Sequence, residues 1–75
     1  MAIDPQLEAQ LVEAAQKLAG ERGWTWREPV EVGSAAEGGE PVWVLRTNAL
    51  MRSPSVKIVF RKSDLSVVRA GYLPR

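Results

Sequence analysis

In the first third of the chain, apolar residues recur with the period of a helix. In later segments, apolar and polar residues alternate with the period of a strand. Asp4 is a favourable N-cap, because its carboxylate can accept hydrogen bonds from the first turn, and Pro5 suits the first helical position. Gly20 and Gly23 are the candidate stops. We therefore predict a helix over about residues 5–21. Its apolar stripe consists of Leu7, Leu11, Ala14, Ala15 and Leu18.

Four segments after this helix have the composition and alternation of strands. Residues 28–32 alternate, but Pro29 cannot donate to a ladder, so an edge strand is predicted there. Residues 33–41 are rich in glycine and alanine and are expected to form a flexible connection. The other strands are predicted over about residues 42–48, 55–61 and 65–72, with a tight turn at residues 62–64.

The expected fold is α+β: one N-terminal amphipathic helix packed on a three- to four-stranded antiparallel meander, in a single domain over residues 1–75. Strand alternation divides the side chains between an inner face, toward the helix, and an outer face. The inner face is predicted to hold Trp43, Leu45, Val56, Ile58, Phe60, Val68, Ala70 and Tyr72. The outer face is predicted to hold Val42, Val44, Arg46, Lys57, Val59, Arg61, Val67 and Arg69.

Acidic and basic residues are segregated along the chain. Residues 1–40 contain eight acidic and three basic residues, whereas residues 41–75 contain one acidic and seven basic residues. The basic half could bind an anionic partner, or the two halves could attract each other in the folded molecule. On the outer face, Glu31 could pair with Arg46 while the long basic side chains cover the valines.

Groups that usually carry catalysis are missing from the sequence. The chain has no cysteine and no histidine, which removes thiolate nucleophiles, the commonest general base and the commonest transition-metal ligand. No histidine is available to activate a serine, and the pair Gly38-Gly39 lacks the surrounding pattern of a phosphate-binding loop. No carboxylates cluster at metal-ligand spacing. We therefore expect no enzymatic activity, no cofactor and no metal, and we infer no small-molecule substrate.

Two further places could contact a partner. Trp24 and Trp26 could anchor an interface, although at least one of them is expected to fill the core. Leu50 and Met51 lie in the predicted loop of residues 49–54, where they could form an exposed contact or close the end of the core. No apolar run reaches membrane-spanning length and the first residues lack the features of a signal peptide, so a cytoplasmic location away from membranes is expected.

Three stretches resemble PepSY-like domains and small immunity proteins: residues 41–45 (PVWVL), 56–60 (VKIVF) and 64–68 (DLSVV). Those families show a helix, a strand centred on Trp-x-Val, and a hairpin whose turn carries an Asp before a Val-rich strand. The resemblance covers roughly residues 7–72, but Leu65-Ser66 stands where such families prefer Thr-Gly. It implies a helix-on-sheet fold and a non-catalytic, protein-binding or inhibitory role, and it transfers no site residue.

The leading functional hypothesis is a protein-binding module, of inhibitor or immunity type, that presents its outer sheet face to an acidic surface. A structural homodimer, with the valines of that face packed across a two-fold axis, is the second hypothesis. Nucleic-acid binding through the same basic residues is the third. It is disfavoured because the aromatic residues that would stack on bases are predicted on the inner face. The candidate contact residues are Arg46, Lys57, Arg61, Arg69, Val42, Val44, Val59 and Val67.

Overall fold

The computed structural model describes residues 3–50 and 54–73, which form one helix followed by a four-stranded sheet. The sheet has the order β1-β2-β3-β4, every neighbouring pair is antiparallel, and β1 and β4 are its open edges. This confirms the predicted α+β meander and fixes the number of strands at four. The elements are α1 (Pro5–Arg22), β1 (Glu31–Glu37), β2 (Glu40–Arg46), β3 (Ser55–Arg61) and β4 (Val67–Leu73).

Helix α1 begins and ends close to the predicted residues. The Asp4 carboxylate accepts a hydrogen bond of 2.7 Å from the Gln6 backbone N–H, as expected of an N-cap. Gly23 ends the helix in the left-handed conformation, with φ 72°, and its N–H donates to the Gly20 carbonyl. Across the described residues, no helix combines the length and apolarity needed to cross a bilayer.

The buried stripe of α1 is narrower than predicted. Its buried residues follow one another four positions apart, which keeps them on one line along the helix. Ala14 lies about a quarter of a turn away from this line and is exposed, so its assignment to the stripe was wrong. The buried residues of the helix are Leu11, Ala15 and Ala19.

The core lies between α1 and the inner face of the sheet. Leu45 of β2 and the alternate residues of β3 are almost fully buried beneath the helix. The Trp24 ring stacks on Tyr72 of β4, with 5.7 Å between the ring centroids. Trp24 and Trp26 both pack against the core, which confirms that at least one of them serves packing. The buried core cluster consists of Leu11, Ala15, Ala19, Leu45, Val56, Ile58 and Phe60.

Strand β1 differs most from its prediction, because it spans Glu31–Glu37 instead of residues 28–32. The segment expected to be a flexible connection therefore contains most of a strand. Gly38 and Gly39 form the hairpin turn with φ values of 58° and 82°, a conformation that glycine adopts without strain. This tight turn brings the small residues before it against β2, and the resulting ladder compensates for their weak strand propensity.

A register shift in β4 overturns one inner-face prediction. The regular pairing of β3 with β4 is interrupted between Val59 and Phe60, where the partner register changes from Arg69 to Val67. The extra residue, Val68, is 40% exposed and does not belong to the core. Bulges insert a residue in this way and locally break alternation, so Val68 does not pack against the helix as predicted.

The end of β2 is held by a buried polar network. Thr47 is fully buried, and its hydroxyl accepts a 2.8 Å hydrogen bond from the Val56 N–H. The Asn48 N–H donates to the Arg27 carbonyl, and its side-chain amide donates to the Pro54 carbonyl at 2.9 Å. Asn48 has a φ of 53°, so β2 ends at Arg46, two residues before the predicted end.

Replacing Thr47 with valine is expected to lower the free energy of unfolding by about 1–3 kcal/mol, because the change preserves shape but leaves the Val56 N–H without its buried acceptor. Urea denaturation followed by circular dichroism measures this loss. Thr25→Val is the matched control, since Thr25 is exposed. Equal stability of the two variants would contradict a structural role for the Thr47 hydroxyl.

Candidate functional site

The outer face of the sheet receives seven of the eight predicted contact residues. Cross-strand partners share a face, and the register pairs Val42 with Arg61, Val44 with Val59, Arg46 with Lys57, and Val59 with Arg69. Val67 is the exception, because it lies in the bulge opposite the core residue Phe60 and is 48% exposed. The sheet therefore brings all four predicted basic residues together on one surface.

Arg61 is neutralised by an acid of the same chain. Its Nε lies 2.7 Å from Oε1 of Glu40, at the start of β2. The hydrogen bond that Arg61 donates to this carboxylate, together with the negative charge of Glu40, raises the pKa of Arg61 above its ordinary value. On the following turn, the Ser66 hydroxyl and backbone N–H donate to Asp64 and hold the pKa of that carboxyl below its ordinary value. Arg61 is thus engaged within its own sheet.

Arg69 is engaged by a second, longer-range pair. Its guanidinium contacts the Glu37 carboxylate, which connects the two edge strands β4 and β1. The pair must therefore reach across the two central strands. Val42 and Val59 on those central strands are each only 1% exposed, although α1 packs on the opposite face. Long paired side chains that lie over apolar residues account for this burial.

These two pairs connect the acidic and basic parts of the chain, as one interpretation of the charge segregation predicted. The specific expectation of a pair between Glu31 and Arg46 was wrong. The two residues are opposite each other in the register, but no ion pair between them occurs in the described part of the chain. Their backbone proximity is therefore not accompanied by a charge contact.

Arg46 and Lys57 are the basic residues of the outer face that remain available. Both are exposed, and within residues 3–50 and 54–73 neither forms an ion pair or a side-chain hydrogen bond. They lie opposite each other on β2 and β3 and line a concavity of about 600 Å³. Its remaining lining residues are Ala49, Leu50, Ser55, Gly71, Tyr72 and Leu73.

Gly71 lines the concavity without contributing a side chain. This glycine is the β4 partner of Lys57, and a Cβ added to it would meet no atom within 4 Å, so the space beside the lysine is open. Leu50 and Leu73 provide an apolar rim and are 82% and 54% exposed. The concavity thus combines two cations with exposed leucines, a composition that suits a partner carrying both negative charge and apolar side chains.

The remaining sequence predictions fall at different places. Leu50, suggested as an exposed contact, is at the concavity, whereas its neighbour Met51 lies outside the described residues. Trp24 and Trp26 are on the inner side and do not line the concavity. Sequence reasoning missed the contributions of Gly71 and Leu73. Their alternation with Arg69 along β4 was a signal that could have placed them on the outer face.

Metal-binding geometry is not found in the part of the chain that the structure describes. No three side chains of His, Cys, Asp or Glu lie close enough there to share an ion. The acidic residues nearest to the outer basic surface, Glu37 and Glu40, are engaged with arginines instead. The charged groups that face the concavity are cations, so its chemistry is that of anion binding.

Comparison with known proteins gives no relative from which a site could be transferred. No protein-family model matches the chain, and no significant match is found among curated proteins or solved structures. The resemblance to PepSY-like domains and small immunity proteins stays a prediction from the sequence pattern.

Proposed function

We propose that this chain is a non-catalytic protein-binding module that receives an acidic segment of a partner protein at the concavity beside Arg46 and Lys57. The observation that carries the proposal is the contrast among the four basic residues. Arg61 and Arg69 are occupied by Glu40 and Glu37, whereas Arg46 and Lys57 have no acidic partner among the described residues. Two cations beside an open apolar rim favour a ligand that brings both carboxylates and apolar contacts.

Free energy favours a carboxylate ligand at this place. A hydrogen bond to a charged group contributes about 1.5–3 kcal/mol to stability or binding. An ion pair that is fully exposed to water usually contributes less. The apolar rim of Leu50 and Leu73 can exclude water from such contacts. An inhibitory or immunity-type role, as the sequence resemblance implies, is compatible with a surface that occupies an acidic site on another protein. A cytoplasmic location stays a prediction from the sequence.

Nucleic acid is a weaker candidate ligand for the same surface. Proteins that bind single strands on a sheet stack bases on exposed aromatic rings. The Tyr72 ring stacks instead on Trp24, toward the helix, and the basic strand positions of the outer face alternate with valine and glycine. A phosphate backbone could still contact the two free cations, so the test of the proposal includes nuclease and salt.

The double substitution Arg46→Gln and Lys57→Gln is expected to weaken partner binding at least about tenfold, because both charge-assisted contacts are lost. Partners are captured from nuclease-treated native lysate, and the affinity of each recovered protein is then measured by titration against the purified chain. The matched control is Lys17→Gln with Arg22→Gln, which removes the same charge from exposed positions on α1, on the side of the sheet opposite the concavity.

Three results would contradict the proposal. Equal weakening by the two double variants would indicate general charge attraction rather than binding at the concavity. Unchanged affinity in Arg46→Gln with Lys57→Gln would remove the concavity from the binding surface. Recovery of nucleic acid with an affinity that falls steeply with salt, and loss of all protein partners after nuclease, would favour the nucleic-acid alternative.

A further inference from the structure

Strand β4 is an open edge with an unusual concentration of exposed apolar residues. The described residues contain four exposed large hydrophobic side chains, and three of them, Val67, Val68 and Leu73, are on this strand. The opposite edge, β1, has none of them and carries glutamate at both ends. Proteins usually protect open edges with charged side chains, because an unpaired strand is a template for another strand. β4 therefore differs from β1 in being suited to pairing.

The only charge on β4 is directed away from its edge. Arg69 is the only residue of β4 that is charged at neutral pH. Its guanidinium contacts Glu37 on the opposite edge strand, β1, so the Arg69 side chain extends over the central strands. A charged side chain, which is one of the features that protect an edge strand from pairing, is therefore directed away from the free edge of β4.

The free hydrogen-bonding groups of β4 can be assigned from the ladder. The Thr47 N–H donates to the Val56 carbonyl, so the backbone groups of Val56 face β2. The side to which the backbone N–H and C=O groups point alternates from one residue of a strand to the next. The groups of Lys57 therefore point toward β4, and those of its partner Gly71 point toward β3. Ala70 and Tyr72, next to Gly71, must then direct their N–H and C=O groups to the open edge.

We propose that a second copy of this chain pairs with β4 in antiparallel fashion, with the two-fold axis at Ala70. In this register, the outward N–H and C=O groups of the two Ala70 residues bond to each other. Val68 lies opposite Tyr72 of the second copy, so an exposed valine gains a cross-strand partner on each side of the axis. Arg69 lies opposite Gly71 of the second copy, where no side chain obstructs it.

Neighbouring registers are less favourable. An axis at Arg69 would place the two arginines directly opposite each other, and like charges at such positions are destabilising. An axis at Gly71 would place Val68 opposite a position beyond Leu73, the last residue of β4. The register at Ala70 is the one that satisfies the free backbone groups, separates the like charges and gives Val68 a partner. It produces a continuous sheet through both copies, closed by a two-fold axis.

The edge dimer differs from a dimer formed through the outer valines. Val42 and Val59 are almost fully covered by the protein's own side chains, so they offer little surface to a second copy. A dimer through the β4 edge leaves the ion pairs of Arg61 with Glu40 and of Arg69 with Glu37 intact. The inference rests on the strand edge and is independent of the binding of an acidic partner.

Light scattering after size exclusion, from micromolar to near-millimolar concentration, tests the dimer. The unaltered chain is expected to reach the mass of a dimer as its concentration rises. Ala70→Pro removes an outward N–H without removing a bond to β3, and proline is tolerated at such edge positions. This variant is expected to weaken dimerisation at least tenfold. Ala36→Pro is the matched control on the β1 edge and is expected to dimerise as the unaltered chain does.

A monomer at every concentration would overturn the inference, as would an Ala70→Pro variant that dimerises as strongly as the unaltered chain. Loss of the dimer in Ala36→Pro alone would assign the contact to the other edge and would also overturn it. Circular dichroism establishes whether each variant is folded. If Ala70→Pro does not fold, Val68→Lys decides the matter, because it places a charge on the exposed edge and is expected to give a monomer.

Discussion

Phe60→Ala is expected to remove most of the free energy of unfolding of this chain. Phe60 is 1% exposed and belongs to the cluster between α1 and the sheet. Truncation of a buried phenylalanine costs about 3–5 kcal/mol, since it removes apolar contacts and leaves a cavity. Small domains are stable by only about 5–15 kcal/mol, and a chain of this length is expected at the low end of that range. The folded state of the Phe60→Ala variant therefore keeps only a small free-energy advantage over the unfolded state.

Circular dichroism with urea titration measures the effect of Phe60→Ala. Leu73→Ala provides the control, because Leu73 is 54% exposed and its truncation is expected to cost no more than about 1 kcal/mol. The prediction would be contradicted if Phe60→Ala unfolded at nearly the same urea concentration as the unaltered chain. Such a result would mean that the sheet does not depend on this ring for its packing.

The sequence was most informative where one face of an element is buried throughout its length. Strand β3 matches its predicted bounds, and its alternate residues Val56, Ile58 and Phe60 all face the helix as predicted. Helix α1 differs at its end by one residue, because Asp4 and Gly23 are strong local signals. In both elements, local preference and burial favour the same conformation.

Strand β1 could not be predicted in the same way, because its conformation depends on pairing. The residues from Gly33 to Ala36 are small and have little strand propensity of their own. The pair Gly38-Gly39 was the available signal, since glycine at both central positions favours a two-residue hairpin. The prediction of a flexible connection over residues 33–41 overlooks this signal and places the strand too early in the chain.

The candidate site was predictable in its membership but not in its charge pairing. Alternation placed the four basic residues on one face, as the register confirms. Two of them are paired with Glu40 and Glu37, whose positions follow from the Gly38-Gly39 hairpin and not from alternation. The open space beside Lys57 depends on the exact pairing with Gly71 across a strand that contains a bulge. Pairing partners of this kind are set by tertiary structure.

Ala15→Leu is expected to destabilise the fold by about 3 kcal/mol, at the upper end of the usual cost of overpacking. Ala15 is fully buried on the line of α1 that faces the sheet. A leucine there adds volume where the core has no room, so the helix must move away from the sheet or the side chains must leave their preferred rotamers.

Ala14→Leu makes the same chemical change one position earlier, where the side chain is exposed. Leucine and alanine have similar helix propensities, so this control is expected to change the free energy of unfolding by no more than about 0.5 kcal/mol. Urea denaturation of both variants measures the difference. A large difference requires that the helix approach the sheet closely along the line of Leu11, Ala15 and Ala19. Equal stabilities would show that α1 is loosely docked, and the inner face of the sheet would then need another explanation for its burial.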